Sequence, residues 1–67
     1  MKFLDTVALL EDLPDKRLCR GQVGVIVEVL AEGVFEVEFS DNEGRSYALT
    51  PLRRKQLLVL HLQPVAA

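Results

Sequence analysis

A chain of 67 residues with a formal net charge of -2 has room for one domain, which buries only about 60% of the surface its unfolded form exposes. Its hydrophobic fraction of 49% is high for so small a domain and offsets that handicap. A single cysteine, Cys19, excludes an internal disulfide, and the negative balance argues against broad binding to a phosphate backbone, which needs several Lys or Arg on one surface. One cysteine also points to a reducing cytoplasm. Met1-Lys2-Phe3-Leu4-Asp5 places an acid where a signal peptide needs its apolar run. Charges interrupt every apolar stretch well short of the ~20 residues of a membrane span, so no membrane partner is expected.

In chain order, a first strand is predicted over 3–10, followed by a polar surface loop over 11–17 that contains Pro14. Gly21 and Gly24 bracket a turn into a second strand over 23–30, rich in β-branched residues. Ala31-Glu32-Gly33 fits a three-residue hairpin loop with Gly33 left-handed. Residues 34–39 alternate apolar and acidic side chains, the pattern of a half-buried third strand. A turn over 41–44 leads to a fourth strand over 45–50. Pro51 then opens one helical turn over 51–56, and a last strand over 57–62 precedes a tail over 63–67.

The first hairpin can be given a register. With Leu30 facing Val34, Val29 pairs with Phe35, Val27 with Val37 and Val25 with Phe39, and these six residues share a core face. The opposite face carries Ile26, Glu28, Leu30, Val34, Glu36 and Glu38. In the next hairpin, pairing Phe39 with Tyr47 and Val37 with Leu49 leaves a five-residue loop. Five short strands must curl to hide an edge, so the expected fold is all-β: a small five-stranded SH3-like barrel over 1–62, with one short helical turn before the last strand.

Catalytic chemistry is poorly represented. A nucleophile needs an adjacent base and a third group to orient it, and Cys19 and His61 lie on different predicted elements. One His and one Cys cannot close a tetrahedral metal site, so no metal and no cofactor are expected. Glu36 and Glu38 share a strand face without the sugar cleft that paired carboxylates would need. No catalytic residue is assigned, and the chain is not expected to be an enzyme. Proline-rich peptide and methyl-lysine recognition both need exposed aromatics, yet Phe35, Phe39 and Tyr47 all have core parity.

Two surfaces remain. On the outer hairpin face Glu28 stands opposite Glu36, a destabilising like-charge pair, with Ile26, Leu30, Val34 and Glu38 around it. Such a face is either simply solvated or a docking surface for a partner bringing basic and apolar groups. The alternative surface is basic: Lys16, Arg17 and Arg20 in the first loop, and Arg53, Arg54 and Lys55 in the helical turn. In an SH3-like barrel both elements flank one groove, which suits an acidic protein surface or RNA.

Leu4-Asp5-Thr6-Val7, Asp12-Leu13-Pro14 and the run from Arg20-Gly21-Gln22-Val23-Gly24 through Val29, with the later Phe35-Glu36-Val37-Glu38-Phe39, Gly44-Arg45 and Tyr47-Ala48-Leu49, resemble a family of short bacterial proteins common in cyanobacteria. That family is known only as a domain of unknown function. The resemblance covers roughly residues 3–60 and implies an SH3-like barrel with no established activity, whose members look like partners of a neighbouring gene product in the manner of toxin–antitoxin or immunity pairs. Gly21-x-x-Gly24-x-Ile26 followed by the 34–39 strand is also similar to the KOW motif, whose glycine turn serves RNA or protein contact; the acidic balance here departs from it. The expectation is therefore a non-catalytic protein-interaction module, antitoxin-like or an accessory partner of one cognate protein. The alternative is a KOW-like nucleic-acid-binding module.

Overall fold

The structure, a computed structural model, describes residues 1–61 and 63–64. It is all-β. Strands β1 (Thr6–Leu9), β2 (Val23–Ala31), β3 (Val34–Ser40), β4 (Ser46–Arg53) and β5 (Leu57–Val59) are joined with two 3-10 turns, Pro14–Lys16 and Arg54–Gln56. They form one five-stranded sheet in the order β4-β3-β2-β1-β5, antiparallel throughout. Among the described residues no ladder joins the edge strands β4 and β5. The second 3-10 turn links them in sequence instead.

The first strand starts at Thr6 rather than residue 3 because Leu4 turns left-handed, with φ of 72°. Such a backbone costs a leucine roughly 1–2 kcal/mol. The Asp5 N–H donates to the Lys2 carbonyl (3.1 Å), and the Lys2 backbone nitrogen donates to Asp5 Oδ2 (2.9 Å), which closes the turn. The loop after β1 is not merely a polar surface segment. Leu13 and Leu18 form an isolated bridge, and Leu18 is buried in the core, where it pins the loop to the sheet.

The expected register of the β2–β3 hairpin holds at Val29 with Phe35 and at Glu28 with Glu36, then shifts. A bulge between Ile26 and Glu28 leaves Val27 as the extra residue, so Ile26 pairs with Val37 and Gly24 with Phe39. An inserted residue reverses the side on which every later side chain projects. Ile26 is consequently fully buried, and Val25 and Val27 are only half-buried; the expected assignment of these three is reversed. At the loop a second irregularity between Val29 and Ala31 pairs Ala31 with Val34, so the connection is Glu32-Gly33, not three residues. Gly33 does adopt positive φ, 74°.

The β3–β4 hairpin is corrected in the same way. Ser40 pairs with Ser46, which preserves the loop over 41–45, but a bulge then pairs Phe39 with Ala48, Val37 with Thr50 and Phe35 with Leu52. Thr50 and Leu52 turn inward. Tyr47 and Leu49, expected in the core, are 48% and 59% exposed. β4 runs on through Pro51 to Arg53, since an edge strand tolerates a proline's missing N–H, and the helical turn shrinks to Arg54–Gln56. The last strand stops at Val59 and buries Leu57, while Leu58 faces out. Leu62 and part of the expected tail, 65–67, lie outside the described residues.

One core results: Val7, Leu9, Leu18, Ile26, Phe35, Val37, Phe39, Leu52 and Leu57, with Thr50 the buried polar member. The bulges decide which substitutions matter. Ile26→Ala should cost roughly 2–5 kcal/mol, whereas Leu49→Ala should stay within about 0.5 kcal/mol of the parent. Urea unfolding of the two variants checks this, and equal losses would place the bulges wrongly. Gly33→Val should destabilise far more than Gly33→Asn, because a β-branched residue resists the left-handed region that Asn tolerates; thermal melts of both variants measure the difference.

Candidate functional site

The outward face of β2, β3 and β4 is laid out by register. Glu36 of β3 lies between Glu28 of β2 and Pro51 of β4; Glu38 lies between Val25 and Leu49; Val34 lies between Ala31 and Arg53. Of the six residues expected here, Glu28, Val34, Glu36 and Glu38 are brought together. Leu30 is exposed at the second bulge beside them. Ile26 is not part of this face, because the Val27 bulge turns it into the core. Val25, Leu49 and Pro51 take the vacated role. No local signal marked them, since Pro51 suits the start of a helical turn as well as an edge strand.

This face carries Glu28, Glu36 and Glu38, with Arg53 at its end across from Val34. The ion pairs among the described residues join Arg45 to Asp41 (3.4 Å) and to Glu43 (3.2 Å) in the β3–β4 turn. None reaches Glu28, Glu36 or Glu38. Glu36 and Glu38 are half-buried by the sheet around them, and Glu36 directly faces another carboxylate across the ladder. Such a pair disfavours the strand contact that creates it.

The basic residues are arranged along a seam. Leu10 N–H donates to the Gln56 carbonyl (2.9 Å), and Gln56 Nε2 donates to Glu11 Oε2 (3.3 Å), so the β1–β2 loop lies against the second 3-10 turn. Lys16 Nζ reaches across and donates to Thr50 Oγ1 (2.6 Å). Arg17 is the left-handed residue that ends the first 3-10 turn, and the Arg20 N–H donates to Asp12 Oδ1 (2.8 Å). Arg53, Arg54 and Lys55 are exposed at the second turn. The two basic runs border a common seam, but Glu11, Asp12 and Asp15 share the loop with the first of them, and no hydrogen bond joins the runs among the described residues. Cys19 and His61 are both exposed, with the Cys19 N–H donating to Gln22 Oε1 (2.6 Å). Among the described residues no group of three or more His, Cys, Asp or Glu could hold a metal ion, and no helix is long and apolar enough to cross a membrane. Tyr47 lies at the sheet edge with its ring centroid 6.3 Å from that of Phe39.

A family model described as a domain of unknown function (DUF4926) matches residues 3–59. The chain belongs to this family. No curated protein and no solved structure matches it. The DUF4926 match spans every strand from β1 to β5, so the acidic face and the basic seam are both parts of the family's domain rather than additions to it.

The Lys16–Thr50 contact holds the loop of this DUF4926 domain onto the edge of its sheet. Lys16→Met keeps the side-chain stem but strips the buried Thr50 hydroxyl of its donor, which should cost about 1–3 kcal/mol. Thr50→Val on that background should recover part of the loss, because the orphaned hydroxyl is then gone. Denaturant unfolding of both single variants and the double variant checks the coupling.

Proposed function

We propose that this chain is a non-catalytic protein-interaction module, an antitoxin-like or accessory partner that works in the cytoplasm and binds one cognate protein through the outer face of β2, β3 and β4. The strand order and the 3-10 turn before β5 support reading the fold as a small SH3-like barrel closed by packing. The observation that carries the functional reading is Glu36: half-buried, opposite Glu28 and beside Pro51, with no ion pair among the described residues. A face kept like-charged at a cost in strand pairing is explained by a partner that brings Lys or Arg to it. Val25, Leu49 and Pro51 supply apolar contact around the carboxylates. Opposite charges then steer encounter and suppress wrong partners.

Co-purification of the tagged chain from its own host identifies the partner. Glu36→Lys should separate binding from folding. The change makes the pair with Glu28 one of opposite charge and should raise stability by roughly 0.2–1 kcal/mol, while weakening the captured protein's affinity by tenfold or more, a change of about 1.4 kcal/mol. Arg54→Glu with Lys55→Glu, on the second 3-10 turn outside that face, should leave that affinity unchanged. Micromolar RNA binding near physiological salt that disappears in the Arg54/Lys55 double variant would instead assign the chain to the KOW-like nucleic-acid class.

A further inference from the structure

The pairing of β1 with β2 ends well before β2 does. Its register joins Ala8 to Val23, Val7 to Gly24 and Thr6 to Val25. The last backbone contacts on that side run from Leu4 N–H to the Ile26 carbonyl (2.7 Å) and from Ile26 N–H to the Asp5 carbonyl (3.0 Å). Beyond Ile26, β2 continues to Ala31 with β3 on one side and, among the described residues, no strand on the other. Leu4, left-handed with φ of 72°, is the last residue of the N-terminal segment with a backbone bond to β2. Strained non-glycine backbone of this kind gathers at functional segments. The same turn leaves Phe3 and Leu4 58% and 62% exposed where the chain departs from β2. Residues 28–32 are exposed in unbroken succession, so side chains of both parities, including Val29 and Leu30, are open to solvent.

An uncovered edge of N–H and C=O groups is a template for another strand. Extended peptides use such edges by main-chain hydrogen bonding, with alternate side chains supplying specificity. Resting on the interaction-module reading, we infer that residues 27–31 of β2 receive an extended segment of the partner as an added strand, and that this segment alternates apolar residues with Lys or Arg. The charge pattern selects that occupant. Glu28 and Glu32 lie along the edge and Glu36 lies one strand behind it, and none has an ion-pair partner among the described residues. A second copy docked edge to edge would set these acids against their own counterparts, and like charges on neighbouring strands are destabilising. The bulge between Ile26 and Glu28 opens the window and the one between Val29 and Ala31 falls inside it, so the regular stretch offered to an added strand is short.

A blocked hexapeptide of alternating valine and lysine is the probe, titrated into the full chain labelled with nitrogen-15. Strand addition moves the amide resonances of residues 27–31 and slows hydrogen exchange at those whose N–H groups face the open edge. Two further peptides, N-methylated either at every valine or at every lysine, test the main-chain bonds. One of them should still bind and the other should lose at least about tenfold in affinity, because only alternate amides of an added strand face the sheet. Glu28→Lys should weaken the unmethylated peptide. Equal binding of both methylated peptides, with shifts confined to Val25, Glu38 and Leu49, would overturn strand addition while leaving docking on the outer face intact. No binding at millimolar peptide would also overturn it. The broader interaction reading fails separately, when co-purification returns nucleic acid in place of a protein.

Discussion

Gly24 stands where β2 is held between Val7 of β1 and Phe39 of β3, and a Cβ at this position would lie 2.8 Å from both the Glu38 carbonyl oxygen and a Val37 methyl. No side chain fits there, so β2 is able to press against β3 at the point where it also serves β1. Everything downstream depends on that close approach. It brings Val37 and Phe39 over the centre of the sheet, and Ile26, two residues on, drops into the same core. The strand must then correct its direction, and the Val27 bulge does so within one residue.

The bulges have consequences at the surface as well as in the core. Moving Ile26 inward leaves Val25 and Val27 half-buried on the far side, and the irregularity near Tyr47 exchanges Leu49 for Thr50 and Leu52 in the interior. The outward face thus gains Val25 and Leu49 around the Glu38 carboxylate. A purely acidic stripe would be a solvated surface. Here the half-buried Glu36 and Glu38 stand among exposed apolar side chains, and Glu36 faces the exposed Glu28 with no ion pair to either among the described residues.

The basic residues are spread over several elements, and some are already engaged. Lys16 is occupied by Thr50, and the loop that holds Arg17 and Arg20 also carries Glu11, Asp12 and Asp15. Arg45 is paired with Asp41 and Glu43. Arg53, Arg54 and Lys55 remain exposed, but on a single short turn. Basic and acidic side chains are thus mixed along one seam.

Residue-level chemistry by itself determined the all-β class, the order of the elements, the third strand and the left-handed glycine at position 33. Each of these rests on local propensity or on strict alternation, and neither needs a distant partner. The alternation in 34–39 places Phe35, Val37 and Phe39 on one side whatever they pack against, and it likewise puts Val34, Glu36 and Glu38 on the other. Tertiary structure alone decided the facing of β2 and β4. Residues 23–30 are apolar on both parities, as are Tyr47, Ala48, Leu49 and Leu52, so hydrophobic pattern cannot choose which set is buried. A bulge chooses, and a bulge exists only between two strands whose crossing geometry demands it. That is why Ile26 changed sides, and why the edge of β2 beyond it became visible only in three dimensions.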